Sequence, residues 1–154
     1  MTIDWNIKKF KELSPSKLYE IMHLRAEVFV IEQKCLYQDA DGKDAKCFHL
    51  LGYDSNDKLV AYSRILPAGV SFREVSIGRV VVPKKARKKE VGRELMIHSI
   101  DAVNKIYGNV AIRIGAQCYL KDFYTEFGFS VIGEEYIEDG IPHFEMLKPP
   151  GIPH

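Results

Sequence analysis

Hydrophobic and polar positions alternate along the chain in short periodic blocks that predict both strands and helices. The first block, residues 5–10, has the period of a short strand. Ser14-Pro15 then has the form of a helix N-cap followed by proline in the first turn. Apolar residues recur after it at three- and four-residue steps, so we predict a helix with one buried face that ends near Glu32-Gln33.

Three strands are predicted in the middle of the chain. Residues 47–53 and 58–66 are rich in strand formers, and the polar residues between them suit a tight turn, so the two segments should pair antiparallel. Residues 74–82 form a further strand that ends in a continuous apolar run, which is typical of a central strand covered on both faces.

The C-terminal half predicts a crossover followed by a hairpin. A helix closed by Gly108 and a buried strand at 110–114 complete a strand–helix–strand unit. A short helix at 119–127 stops at Gly128. Strands at 129–132 and 143–147 should pair around Asp139-Gly140, and the tail 149–154 should fray.

Length and composition indicate one globular domain over residues 1–148. A chain of 154 residues that is 46% hydrophobic can bury a single core. No apolar run approaches the roughly 20 residues that span a bilayer, and the N-terminal residues carry charges, so we expect a cytoplasmic protein without a membrane partner. Three cysteines, Cys35, Cys47 and Cys118, do not form a disulfide framework and fit a reducing compartment.

The polar loop at 37–44 has the composition of a calcium loop but not its pattern. Lys43 occupies a ligand position, and Asp44 stands where the loop requires glycine. We therefore predict no metal site there.

The most informative segment is a cationic turn between a strand and a helix. Six basic residues fall within residues 84–93 of a chain whose net charge is +1, directly before the predicted second long helix. Helix-opening N–H groups and basic side chains favour an anion, so a pyrophosphate-bearing cofactor is the functional interpretation. A solvated loop or a nucleic-acid patch are the alternatives. Because 22 basic residues are balanced by 21 acidic ones and no aromatic lies in this run, nucleic acid is disfavoured.

Together with the cationic turn, the order of elements and the Phe-Tyr-Thr-Glu-Phe-Gly-Phe segment at 123–129 resemble the GCN5-related N-acetyltransferase (GNAT) superfamily over nearly the whole chain. Further segments are similar to its ElaA-type subgroup, namely 24–33, 37–42, 77–80, 115–117 and 138–143. The resemblance implies an α/β (α+β) fold with a central mixed, mostly antiparallel twisted sheet of six to seven strands. About four helices should flank this sheet, and its central strand pair should be splayed.

The resemblance also implies how acetyl-CoA, the expected cosubstrate, is bound. The backbone of the apolar strand would pair with pantetheine as an added strand, and the main chain of the turn would hold the pyrophosphate. Glu90 departs from the family pattern, which has glycine at this position. The implied cofactor-binding residues are Val80, Val81, Val82, Arg87, Lys88, Lys89, Glu90, Val91, Gly92, Arg93, Gln117 and Tyr124.

The chemistry implied is transfer of acetyl to a primary amine of a small molecule or peptide by direct attack. Tyr124 is the predicted general acid, since a phenol stays protonated near neutral pH and can protonate a departing thiolate. Candidates for the base are Glu32, His49 and His143. The expected substrate-binding residues are Arg25, Gln33, Tyr37, Asp39, Arg79 and His143, and Asp39 and Asp41 could hold a cationic substrate. Alternatively, Arg25, Arg64 and Arg79 order the site, pair with those carboxylates, or form ordinary surface ion pairs.

Two alternatives to this enzyme stay open at the level of sequence. One is a non-catalytic module that senses acyl-CoA or binds nucleic acid through residues 84–93. The other is ping-pong transfer through a Cys118 nucleophile and a histidine. The partner expected for the enzyme is the amine substrate, and a homodimer is a further possible assembly.

Overall fold

Seven strands and three α-helices make up the described part of the chain, residues 2–87 and 90–151 of a computed structural model. The strands are β1 Asp4–Lys9, β2 Phe48–Tyr53, β3 Leu59–Leu66, β4 Ser76–Val81, β5 Ile112–Gln117, β6 Ser130–Glu138 and β7 Ile141–Lys148. The α-helices are α1 Pro15–Arg25, α2 Val91–Tyr107 and α3 Lys121–Thr125, and a π-helix, Ala26–Glu32, continues α1.

The strands form two antiparallel sheets that separate where β4 faces β5. One sheet has the order β1-β2-β3-β4, and the other has the order β5-β7-β6. Between the sheets the described residues show a parallel bridge from Val75 to Ile112, supported by a 3.0 Å hydrogen bond from the Arg113 amide to the Val75 carbonyl. Beyond that point β4 and β5 diverge. The predicted fold class and its splayed central strand pair are confirmed, and α2 is the predicted crossover between the two strands.

Local signals in the sequence set the helix ends. The Ser14 side chain accepts a hydrogen bond from the Lys17 amide at 3.2 Å, with Pro15 in the first turn, as predicted for an N-cap. Gly108 ends α2 with φ 83°, a conformation that glycine adopts without a Cβ clash. Among the described residues, no helix combines the length and the apolarity that crossing a bilayer requires.

The main core lies between α2 and the two sheets. Met96 and Val103 from α2 pack with Ile112, Ile114 and Met146, all of them almost fully buried. Burial of each such side chain contributes about 1.5–3 kcal/mol. Because α2 contacts both sheets near the Val75–Ile112 bridge, this core fixes the position from which β4 and β5 separate.

Candidate functional site

A cleft of about 1060 Å³ occupies the space that the diverging strands open. Val80 and Val82 line it on the β4 side, and Gly115 and Gln117 line it on the β5 side. Past the bridge, the facing edges of β4 and β5 pair with no other strand among the described residues. Their backbone N–H and C=O groups are therefore available to an extended ligand.

A β-bulge shapes the β4 wall. Tyr62 pairs with Val81 while Arg64 pairs with Gly78, so β4 carries one residue more than β3 across this stretch. Arg79, within the bulge, has φ 49°. A bulge bends its strand and re-aims a side chain, and here both Arg79 and Val80 line the cleft.

One end of the cleft meets the first turn of α2. The first bond of that helix runs from the Glu94 amide to the Glu90 carbonyl at 3.2 Å, so the three preceding N–H groups lack intrahelical acceptors. Gly92 lines the cleft, and a Cβ built on it would meet nothing closer than the Phe123 ring at 3.8 Å. Bare backbone at the positive end of a helix is a cradle for an anion.

The two arginines of the cationic turn, Arg87 and Arg93, face carboxylates. Arg87 lines the cleft, donates to both carboxylate oxygens of Glu32 at 2.6 and 2.9 Å, and donates to the Val82 carbonyl at 3.0 Å. Arg93 instead pairs with Glu126, the residue that follows α3, and its side chain does not line the cleft. The sequence analysis assigned the pyrophosphate to the main chain of this turn, and that assignment stays a prediction. The predicted contacts of Lys88 and Lys89 lie outside the described residues.

Glu90, at the position where the family pattern has glycine, adopts a backbone conformation that favours glycine. Its φ is 62°, in the left-handed region, and its side chain is 78% exposed. The carboxylate lies 3.4 Å from Arg93. The Glu90 side chain therefore points to solvent, while its backbone forms the N-cap of α2. Val91, the next residue, is fully buried and does not line the cleft.

Tyr124 lies in α3 at the floor of the cleft. It is 7% exposed and packs edge-on against Phe123 and Phe129, at ring-centroid distances of 5.2 and 6.1 Å. Its hydroxyl has no hydrogen-bond partner among the described residues. Burial, with a smaller contribution from Tyr119, raises the pKa of Tyr124, so the phenol stays protonated at neutral pH.

His49, one of the predicted base candidates, does not line the cleft, so its position does not support that role. Its ring is fully buried, with Nδ1 2.7 Å from the Tyr62 hydroxyl and Nε2 2.9 Å from the Asp44 carbonyl. Both nitrogens are thus occupied. Burial also lowers the pKa of His49. This histidine fastens β2 to the loop before it.

His143 and Glu32, the other base candidates, both line the cleft. The His143 Nδ1 lies 2.7 Å from the Ile141 carbonyl, which can only accept, so Nδ1 carries the proton and Nε2 presents a lone pair. Glu32 has both oxygens engaged by Arg87. His143 is therefore the candidate whose basic atom is free.

Three arginines and three aspartates form one charged network beside the cleft. Arg25 is fully buried, and donates to Asp39 at 2.8 Å and to Asp44 at 2.7 Å. Asp44 also accepts from Arg64 at 3.0 Å. Burial by itself would raise the pKa of Asp44, but the two guanidinium groups outweigh it and lower that pKa. The complete set is Arg25, Arg64, Arg79, Asp39, Asp41 and Asp44.

Two residues predicted to bind substrate, Arg25 and Asp39, belong to this network and pair with each other. Neither Arg25 nor Asp39 lines the cleft. The Asp39 carboxylate pairs with Arg25 and Arg79 and accepts from the Tyr37 hydroxyl at 3.0 Å. Because each charge already faces its counter-charge, these groups order the loop rather than hold a substrate.

Other predicted residues do meet at the cleft. Gln33 and Gln117 line it and exchange two amide hydrogen bonds of 3.2 Å, which tie the end of the π-helix to the end of β5. Tyr37 and Arg79 line it as well, with the guanidinium 5.6 Å from the Tyr37 ring centroid. Arg79 and Gln117 therefore have their side-chain polar groups committed to protein partners.

Cys118 is not placed as a nucleophile. Its thiol donates to a Glu135 oxygen at 3.2 Å and does not line the cleft. Desolvation, followed by the Glu135 carboxylate, raises the pKa of Cys118, which disfavours the reactive thiolate.

Sequence reasoning missed the wall that β6 and β7 contribute. Tyr136, Glu138 and Asp139 line the cleft, and a Cβ on Gly115 would lie 3.0 Å from the Tyr136 hydroxyl. The sequence analysis placed Asp139 in a turn and in the segment 138–143 that resembles the ElaA-type subgroup, but gave it no role at the site. A signal was present, because residues 122–147 contain seven acidic residues and neither lysine nor arginine.

The architecture has counterparts among known proteins. The profile of a family described as "Acetyltransferase (GNAT) domain" matches residues 11–149. Protein ElaA of Escherichia coli is 43% identical over 148 residues, which cover 95% of this chain and 96% of that protein. The crystal structure of Escherichia coli ElaA aligns with a TM-score of 0.89 at 42% identity, over 96% of this chain and 99% of that one. An acyl-CoA N-acyltransferase from Pseudomonas aeruginosa aligns with a TM-score of 0.90 at 36% identity, over 96% and 99% of the two chains.

Proposed function

The chain belongs to the GCN5-related N-acetyltransferase (GNAT) family, and we propose that it transfers an acetyl group from acetyl-CoA to a primary amine of a small molecule or peptide. The proposal includes direct attack within a ternary complex. The observation that carries it is the cleft between β4 and β5, which runs to the bare first turn of α2. Such a cleft suits a long ligand with amides along its length and a diphosphate at one end.

On the cofactor side of the cleft, the protein offers hydrogen-bond donors that match the polar groups of coenzyme A. The free edge of β4 at Val80 and Val82 would pair with pantetheine amides, and the N–H groups that open α2 would hold the diphosphate around Gly92. Arg87 would add charge there, in competition with Glu32. When bound, acetyl-CoA supplies an acyl group activated as a thioester.

Proton transfers are assigned to two side chains that line the cleft. A primary ammonium of pKa about 10.4 is neutral in only about one molecule in 10³ at pH 7, so His143 would take a proton from it at Nε2. Tyr124 would donate its hydroxyl proton to the departing sulfur. The second amine proton, released as the amide forms, returns to the Tyr124 oxygen. Backbone N–H groups of β4 would stabilise the acyl oxygen.

Gly92→Ala tests the cofactor assignment. The added Cβ has ordinary contacts with protein, so we expect the free energy of unfolding to be unchanged or to rise by up to about 1 kcal/mol. The same Cβ fills the anion cradle, so the Kd for CoA should rise at least about tenfold, equivalent to about 1.4 kcal/mol. Isothermal calorimetry with CoA and urea denaturation measure the two effects.

Ile97→Ala on the exposed side of α2 serves as the control, since it alters the same helix away from the cleft. It should leave the Kd for CoA unchanged. If the wild-type protein shows no heat of binding with CoA, or if Gly92→Ala binds CoA as the wild type does, the assignment of this cradle is wrong.

Glu90→Gly should strengthen both folding and cofactor binding. Glycine removes the cost of a left-handed backbone, so stability should rise by about 0.5–1 kcal/mol. Loss of a carboxylate beside the expected diphosphate should lower the Kd for CoA severalfold. Asp57→Gly, at φ 60° in the β2–β3 turn, is a matched control that changes the same backbone property far from the cleft. Equal CoA affinities for Glu90→Gly and the wild type would contradict the electrostatic part of this prediction.

The nucleic-acid alternative receives little support from the described side chains. Arg87 and Arg93 each face a carboxylate rather than forming an open basic surface. An acyl-CoA sensor without turnover remains a distinct outcome, which CoA binding without thiol release across an amine panel would reveal. A cytoplasmic location and a homodimer stay predictions.

A further inference from the structure

The two ends of the cleft carry opposite charge. The cofactor end follows the cationic turn. Residues 122–147, which include β6 and all of β7 except its last residue Lys148, hold seven acidic residues and no lysine or arginine. Glu138 and Asp139, at the turn between these strands, line the cleft. The acidic wall therefore lies on the side that an acceptor would use, if the proposed acetyl transfer is correct.

Most charges in the cleft already have partners, but those of the acidic wall do not. Glu32 is paired with Arg87, Asp41 with Arg64, and Glu145 with Arg113. By contrast, the described residues place no lysine or arginine within ion-pair distance of Glu138 or Asp139. Two uncompensated carboxylates facing a cleft favour a cationic ligand.

His143 gives an independent indication that a ligand group belongs beside this wall. Its side chain is nine-tenths buried and lines the cleft, stacked 5.7 Å from the Tyr136 ring. Nδ1 is satisfied by the Ile141 carbonyl, but Nε2 has no hydrogen-bond partner among the described residues and lies 3.7 Å from Glu138. An acceptor atom that has no protein donor and borders a cleft is open to the hydrogen of a ligand or water.

We infer that the acceptor is a primary amine with a second ammonium group, such as a diamine or polyamine, and that Glu138 and Asp139 hold that second ammonium. The attacking nitrogen must lose its charge at His143 before it can react. The carboxylates of Glu138 and Asp139 would therefore bind the other ammonium group, which stays protonated. This inference rests on the proposed function. The competing acceptor is an amine that carries a carboxylate, because Lys43, which donates to Ser71 at 2.9 Å, also lines the cleft.

Three matched acceptors separate these classes. 1,5-Diaminopentane, hexylamine and 6-aminohexanoate share an amine on five methylenes and differ only in the far group, which is ammonium, methyl or carboxylate. With acetyl-CoA as donor, kcat/KM for the diamine should exceed that for hexylamine by about tenfold or more, with the amino acid poorest. Raised salt should shrink the preference, because exposed charges are screened.

Glu138→Gln combined with Asp139→Asn should abolish that preference. Both changes conserve shape, and asparagine tolerates the left-handed backbone of Asp139, φ 51°. The KM for acetyl-CoA should stay unchanged. Glu134→Gln, on the exposed part of β6 outside the cleft, is the control for loss of one acidic charge and should retain the preference.

A binding measurement keeps this inference separate from the proposed function. Calorimetry of 1,5-diaminopentane against CoA-saturated protein should show binding that the double variant weakens about tenfold. If that holds while no amine is acetylated, the inferred site stands and the proposed acetyl transfer fails. Equal use of hexylamine, preference for 6-aminohexanoate, or diamine binding that is absent or indifferent to the double variant would overturn the inference.

Discussion

Tyr124→Phe should lower kcat by about 10²-fold and leave the Kd for CoA unchanged. The variant removes the hydroxyl that is placed to protonate the departing sulfur, and general-acid groups contribute about 10²–10⁴-fold to rate. The ring remains, and so does its packing against Phe123 and Phe129. Because the hydroxyl has no protein partner among the described residues, stability should change by less than about 1 kcal/mol. Thiol release with a saturating amine measures kcat.

Tyr107→Phe is the matched control. It removes a phenolic hydroxyl at the end of α2, where the ring packs against Phe48 outside the cleft, and it should retain full turnover. A Tyr124→Phe enzyme with wild-type kcat under conditions in which chemistry limits the rate would show that Tyr124 is only a packing residue.

Asp44→Asn should destabilise the fold by about 3–5 kcal/mol. This carboxylate accepts hydrogen bonds from Arg25 at 2.7 Å and from Arg64 at 3.0 Å, and its removal leaves two buried guanidinium groups short of a counter-charge. Breaking one member of a buried ion network has this cost because the remaining charge stays desolvated. Urea denaturation at pH 7 measures the loss.

Asp54→Asn in the β2–β3 turn is the control for the same chemical change. The Asp54 oxygen accepts two backbone N–H groups, which an amide oxygen can also do, so the loss should be below about 0.5 kcal/mol. The pKa of Asp44 is lowered by folding, so its contribution is present above its ordinary pKa of about 3.9 and is lost as pH falls. The difference between wild type and Asp44→Asn should therefore shrink below about pH 4. A pH-independent difference would assign the loss to packing.

The outcome for the predicted site residues divides by the kind of signal that predicted them. Tyr124 and Gly92 were named because the segments that contain them resemble the GNAT superfamily, and both line the cleft. His49 and Arg25 were placed by residue type alone, and both are buried in protein contacts. A histidine or an arginine can have a structural role in the core or a chemical role in a site, so the residue type alone does not tell where it lies in the fold.

The acidic groups show the same division more sharply. Asp39 was predicted to hold a cationic substrate, and it is instead committed to Arg25 and Arg79. The carboxylates without a lysine or arginine partner among the described residues are those of Glu138 and Asp139, to which the sequence analysis gave no role at the site. The sequence shows how many charged residues each segment holds, but it does not decide which of them form ion pairs with one another.

What the sequence determined by itself was the order of elements, the capped start of α1, the hairpins, and the bare first turn of α2 after a cationic segment. These features depend on hydrogen bonds and side-chain periodicity within a few residues, so the local chain specifies them. Only the tertiary structure decided which charges face the cleft and which neutralise one another. Arg87 meets Glu32 across 55 positions and Arg64 meets Asp44 across 20, and such pairs are chosen by packing rather than by neighbours in sequence.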